Sequence, residues 1–260
     1  MDYIVVIPAR YKSSRLKGKP LIDLNGLPMI VRTYRQCLKV VPSKTIFVAT
    51  DHDLIKKVCV KEGAQVIMTS PDCLTGTDRV AEVSEKIDAK TYINVQGDEP
   101  FVNPDDILKI AEEMTPRAFD RKTDEVFCGM CRITEKEQYY SPHVPKIVFN
   151  QDKPNRSGLL RYISRAPIPA VKEGYEWPEG DAWKQVCIYG FKWWHLKEFA
   201  KQKKKTTLEF VEDIEILRFL EIGIAVRMIM IEGSPMSVDT EEDLQKADTL
   251  ARKLNPNFWK

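Results

Sequence analysis

The chain has 260 residues, 43% hydrophobic and 30% charged, with 40 Lys and Arg against 38 Asp and Glu for a net charge of +2. That composition describes a globular chain long enough to bury a core without disulfides or a structural metal, and it excludes disordered, collagen-like and multi-span membrane chains. The near-neutral balance argues against a nucleic-acid surface, and the one basic run, Lys203-Lys204-Lys205, reads as a solvated loop.

The first half alternates strands and helices. Tyr3–Ile7 is a β-rich run ended by Pro8, and it follows the N-terminus without the basic and apolar regions of a signal peptide. Pro28 opens a helix over Met29–Leu38, Thr45–Thr50 is a buried strand, and Asp51-His52-Asp53 can cap a helix over Leu54–Glu62 that Gly63 stops. Gln65–Thr69 and Tyr92–Val95 read as strands, and Asp78–Lys86 and Asn103–Met114 as helices. Val126–Ile133 and Pro145–Phe149 are the next strands. About 139–184 is rich in Pro, Gly, Trp and Tyr without helical period and reads as an inserted arm. Strands at Val186–Phe191 and Val226–Ile231 and helices at Leu196–Gln202, Leu208–Glu221 and Glu241–Leu254 complete the chain. The expected fold is a single α/β domain over 1–260, Rossmann-like, with a mostly parallel central sheet and helices on both faces.

The six cysteines are scattered through apolar periodic segments, as expected of reduced thiols in a cytoplasmic protein. Cys128-Gly129-Met130-Cys131 has CxxC spacing but lies in a strand, where residues three apart face opposite sides. No run reaches the length of a membrane span, and no G-x-S-x-G elbow is present.

Four segments carry possible chemistry. The loop after the first strand holds Arg10, Lys12, Arg15, Lys17 and Lys19, five cations in ten positions, at the carboxyl end of a strand where α/β sheets bind ligands. Cations with backbone N–H groups make a polyphosphate cradle; the plainer reading is a solvated basic loop. It is no Walker A loop, because Pro20 stands where the magnesium-binding Ser or Thr would be. Asn94-Val95-Gln96-Gly97-Asp98-Glu99-Pro100 puts two acids at the end of a central strand, placed either for Mg²⁺ between protein and phosphates or for a capped turn. Thr75-Gly76-Thr77-Asp78-Arg79 opens a helix with hydroxyls that suit a nucleotide and equally suit an N-cap. Asp239 ends the last strand and Thr240 can cap the final helix with Asp243.

Taken together and in order, IPARYKSSRLKGKPL, GLPMI, VATDH, TGTDR, NVQGDEP and SVDTEEDL resemble the 3-deoxy-manno-octulosonate cytidylyltransferase (CMP-Kdo synthetase) family of the sugar-nucleotide transferase superfamily. The resemblance implies that CTP and a 2-keto-3-deoxy sugar acid give the CMP-sugar and pyrophosphate, for bacterial surface polysaccharide such as lipopolysaccharide or capsule. It implies that Arg10, Arg15 and Lys19 meet the CTP phosphates, that Ala9, Thr75, Gly76, Thr77 and Arg79 line the nucleotide pocket, and that Asp98 and Asp239 ligate Mg²⁺. Arg10, Lys19, Asp98 and Asp239 are then the catalytic set. On the sugar side it implies Gln96, Arg165, Gln185, Tyr189, Glu215 and Ile216, and it implies a homodimer, with the 139–184 arm as the expected contact. The chain departs from the family pattern at two places: Gln185 stands where the family has His, and Ile216 where it has Gln. Both fall on the acceptor side, which keeps open a cytidylyltransferase for another acidic sugar or a non-sugar acceptor, or a non-catalytic nucleotide-binding protein.

Overall fold

The computed structural model describes residues 2–12, 16–115, 124–153, 157–172, 176–178, 180–234, 236–254 and 258. Its elements in chain order are β1 (Tyr3–Ala9), β2 (Asp23–Leu24), β3 (Leu27–Pro28), α1 (Met29–Leu38), β4 (Ile46–Thr50), α2 (Asp53–Lys61), β5 (Gln65–Met68), α3 (Gly76–Ser84), β6 (Thr91–Val95) and α4 (Pro104–Met114). There follow β7 (Glu125–Arg132), α5 (Lys136–Tyr140), β8 (Lys146–Lys153), β9 (Ser157–Ser164), β10 (Trp183–Lys192), α6 (Trp193–Ala200), α7 (Thr207–Glu212), α8 (Ile216–Glu221), β11 (Ala225–Met230) and α9 (Glu241–Lys253).

Nine strands form one mixed sheet in the order β5-β4-β1-β6-β10-β7-β11-β9-β8. The block β5-β4-β1-β6 is parallel throughout, as its helical crossovers require. β10 enters antiparallel between β6 and β7, which restores the parallel direction for β7 and β11. The apolar alternation of the strands feeds two cores. Ile7, Val48, Ile93 and Val95 face α1, α2 and α4 on one side, and Val6, Ala49, Tyr92 and Phe191 face α3, α6 and α8 on the other. Both faces are therefore covered, as the sequence led us to expect.

Two expectations change. The 139–184 stretch is more regular than its composition suggests: it holds the last two residues of α5 and the hairpin β8–β9, which extends the main sheet beyond β11. The helix expected over Leu208–Glu221 is two helices, because Asp213 adopts a left-handed backbone with φ 51° and breaks the run between α7 and α8. At the start of α2, the cap from the Asp51-His52-Asp53 segment is His52, its Nδ1 accepting from the Leu54 N–H at 3.2 Å. Among the described residues, no helix is long and apolar enough to cross a membrane. Cys128 and Cys131 are buried free thiols packed in opposite cores.

Candidate active site

The carboxyl ends of β1 and β6 and the amino end of β10 meet along one edge of the sheet, because β10 runs against β6. A cavity of about 1070 Å³ lies over this edge. Its walls include Ala9, Arg10, Lys19, Thr75, Gly76, Arg79, Gln96, Asp98, Arg165, Gln185, Tyr189, Glu215 and Asp239, so thirteen of the sixteen expected site residues are brought together. Of the other three, Arg15 lies outside the described residues. Thr77 is fully buried behind the wall. Ile216 is also fully buried, packed in the core that faces α3, α6 and α8, and does not reach the cavity.

The cationic loop is shaped by its glycine. Gly18 takes a left-handed backbone at φ 65°, its N–H returns to the Tyr11 carbonyl at 3.2 Å, and a short helical turn over Lys19–Leu21 follows. This sets Lys19 inward, where its ammonium donates to Asp98 at 2.6 Å and to Asp239 at 2.9 Å. Burial disfavours the charged ammonium, but the two carboxylates outweigh it and hold the Lys19 pKa above the ordinary lysine value. Asp239 does not end β11 as expected; it lies in the loop beyond it. The Val238 N–H donates to the Asp98 carbonyl at 3.1 Å, and that backbone bond joins the two acid-bearing loops. Thr240 and Asp243 form the expected capping box at the start of α9, which fixes Asp239 from the other side.

Gly97 has a packing reason of its own. A Cβ there would stand 2.7 Å from the Pro8 carbonyl oxygen, so the close approach is to the neighbouring β1 loop. Glu99, next to Asp98, is 6% exposed, and burial with the adjacent Asp98 pushes its carboxyl up to about 8.

The Thr75–Arg79 segment is held from three directions. Thr75 and Asp78 form a capping box, and Arg218 reaches from α8 to pair with Asp78 at 2.9 Å. Glu215 accepts the Thr77 N–H at 3.0 Å on one oxygen and the Gln96 amide at 2.7 Å on the other, while burial raises its carboxyl. Arg79 is directed away from the cavity centre, with its guanidinium on Asp51, the Thr69 hydroxyl and the Ser70 carbonyl. Sequence reasoning missed Asp51. The signal was available, since an acid at the end of β4 stands beside the cationic loop after β1.

On the far side of β6, the Gln185 amide donates to the Tyr189 hydroxyl at 3.0 Å, and burial keeps that phenol well above its ordinary pKa. The Arg165 guanidinium is committed to main-chain carbonyls of Pro142, Glu212 and Asp213, and its backbone N–H to the Glu212 carboxylate. The site thus has a half rich in cations and acids under β1, β6 and α9, and a hydrogen-bonding half under β10 and α8 that bears Gln185, Tyr189 and Glu215 beside Lys184. That division suits an anionic polyphosphate beside a hydroxyl-rich ligand.

A family model for cytidylyltransferases matches residues 4–230. The chain belongs to the cytidylyltransferase family. As a member of that family it is a nucleotidyltransferase enzyme. The 3-deoxy-manno-octulosonate cytidylyltransferase of Chlorobaculum tepidum is 38% identical over 254 residues, covering 97% of this chain and 98% of the relative. That of Chlorobium phaeovibrioides is 35% identical over 253 residues, again covering 97% and 98%. A solved structure of CMP:2-keto-3-deoxy-manno-octonic acid synthetase complexed with CTP superposes with a TM-score of 0.83 at 33% identity, covering 98% of this chain and 100% of that one. The cytidylyltransferase fold and its sheet-edge cavity agree with the architecture expected from the sequence.

Proposed function

We propose that this cytidylyltransferase activates 3-deoxy-manno-octulosonate, or a closely related 2-keto-3-deoxy sugar acid, with CTP to give the CMP-sugar and pyrophosphate. The observation that carries the reading is the meeting of Lys19, Asp98 and Asp239 at 2.6 and 2.9 Å, on the edge that also bears Arg10. Arg10 and Lys19 bind the triphosphate and neutralise charge that grows on the departing pyrophosphate. Ala9, Thr75 and Gly76 line the nucleotide end, and Arg79 holds that end in shape from behind.

Asp98 and Asp239 suit Mg²⁺. They are hard oxygen donors converging from two loops, and Mg²⁺ takes one or two carboxylates with phosphate and water as its other ligands. When bound, the ion neutralises triphosphate charge and makes the α-phosphorus more electrophilic. The acceptor's anomeric oxygen forms a bond to the α-phosphorus as the bond to pyrophosphate breaks. The protein's part is to hold the two in line and exclude competing water. Gln96, Gln185, Tyr189 and Glu215 orient the acceptor hydroxyls. The active unit is a homodimer in this reading, built through the 139–184 arm, and its product supplies surface polysaccharide synthesis.

Pyrophosphate release from CTP with a panel of sugar acids tests the reading. Rapid release with 3-deoxy-manno-octulosonate supports it. Release only with a different acid would move the enzyme to another acceptor, a reading favoured by one feature: Gln185 offers an amide where the family pattern has a titratable ring.

A further inference from the structure

We propose that Lys184 recognises the carboxylate of the acceptor and so determines the enzyme's preference for acidic sugars. The inference rests on the functional reading above. Most cationic side chains on the cavity wall are already committed to partners. Lys19 lies between Asp98 and Asp239, Arg79 pairs with Asp51, Lys205 with Asp213 at 2.5 Å, and Lys246 with Glu242 at 2.7 Å. Each of the three side-chain nitrogens of Arg165 is spent on a main-chain carbonyl, which makes Arg165 a strut between the Pro142 segment and the α7–α8 turn. Arg10 and Lys184 remain, and neither makes an ion pair among the described residues.

These two stand apart along the same edge. β1, β6 and β10 are adjacent strands, so Arg10 and Lys184 are separated laterally by two strand spacings, roughly 10 Å. A nucleoside triphosphate approached by an acidic acceptor carries negative charge at two separate places, the phosphates and the acceptor carboxylate. Arg10 stands at the end of the edge that bears the cationic loop, and Lys184 at the end that bears Gln185 and Tyr189. Lys184 and Gln185 are consecutive in β10 and leave it on opposite faces, so they flank the edge across which the acceptor lies.

Lys184 is also aimed. Its ammonium donates to the Gln138 side-chain oxygen at 3.0 Å, and the Gln138 amide donates onward to Glu135 at 3.2 Å, which holds that oxygen toward the lysine. Among the described residues one of three ammonium donors is used this way, which leaves donors for a carboxylate. The position is half-buried, where a charge-assisted bond is stronger than in bulk water.

The test is steady-state pyrophosphate release with CTP and two acceptors, the 2-keto-3-deoxy sugar acid and its neutral carboxamide, for wild type, Lys184→Met and Lys184→Arg. Lys184→Met should raise KM for the acid by at least about tenfold and leave KM for the carboxamide and for CTP within about twofold. The preference for acid over amide then collapses, and Lys184→Arg keeps most of it. Unaltered CTP saturation shows that the variant is folded; should Lys184→Met fail to fold, Lys184→Gln takes its place. A variant that retains the wild-type acid preference overturns the proposal alone. A wild-type enzyme that turns over no sugar acid overturns the functional reading, and this proposal with it.

Discussion

Arg79 and Asp51 form a buried ion pair at 3.0 Å, and the other oxygen of Asp51 accepts the Tyr11 backbone N–H, also at 3.0 Å. One carboxylate therefore ties the cationic loop after β1 to the α3 segment that bears Thr75 and Gly76. The Tyr11 ring adds a stack on His52 with centroids 3.8 Å apart. Asp51→Asn keeps the shape but removes the charge opposite Arg79. Its expected effects are a loss of roughly 1–3 kcal/mol in stability and a rise of about tenfold in KM for CTP, with KM for the acceptor unchanged. Denaturant titration and two-substrate kinetics check both, and equal rises in the two KM values would contradict a role confined to the nucleotide side.

The Lys19–Asp98–Asp239 cluster makes a sharper demand. Asp98→Asn should lower kcat by about a hundredfold or more while the fold survives, because it removes a carboxylate that would hold Mg²⁺ against the triphosphate. Chelation of divalent ions should abolish wild-type turnover, and Mg²⁺ should restore it. Turnover by Asp98→Asn close to that of wild type would remove the residue from the site.

The two departures from the family pattern have different surroundings. Gln185 lines the cavity and Ile216 does not, so their restoring substitutions should behave differently. Gln185→His should change the ratio of acceptors used with CTP affinity nearly constant. Ile216→Gln places an amide in an apolar core and should cost about 1–3 kcal/mol through unsatisfied hydrogen-bonding groups. Thermal unfolding separates the two effects, and an Ile216→Gln protein as stable as wild type would show that the core accommodates the amide.

His195 gives a prediction in pH. It is fully buried, its Nδ1 accepts from the Lys192 N–H, and its Nε2 meets Asp124 at 2.7 Å. Burial outweighs the Asp124 contact and pushes its pKa down to about 4, below the ordinary value of 6.5. The unfolded chain then binds a proton that the folded chain refuses. Stability from this group is complete above pH 6.5 and is lost as pH falls toward 4, by up to about 3 kcal/mol. Glu99 and Glu215, whose carboxyls burial raises, act with the opposite sign. Comparison of wild type with His195→Gln across this range isolates the histidine, and parallel stability profiles would contradict the account.

Much of this arrangement was legible in the sequence because local chemistry and position agreed. The cationic loop, NVQGDEP and TGTDR each follow or open an element whose periodicity is plain, and a parallel sheet sends such loops to one edge. What the sequence did not disclose were choices made by tertiary contacts. Asp213 breaks a helical pattern through its backbone conformation, and β9 hides in a stretch whose composition reads as irregular. Arg165 has the chemistry of a carboxylate ligand, yet three carbonyls take its guanidinium. Ile216 lies one residue after a cavity-lining Glu215 but faces the core, as the rotation of about 100° per helical residue allows.

The central claim is cytidylyl transfer to a 2-keto-3-deoxy sugar acid. Its most direct test is an incubation of the purified enzyme with CTP, Mg²⁺ and 3-deoxy-manno-octulosonate, with product identified by mass and pyrophosphate measured against time. The account predicts equal amounts of CMP-sugar and pyrophosphate, dependent on all three components. Absence of the CMP-sugar, or pyrophosphate release at the same rate without the sugar acid, would contradict it.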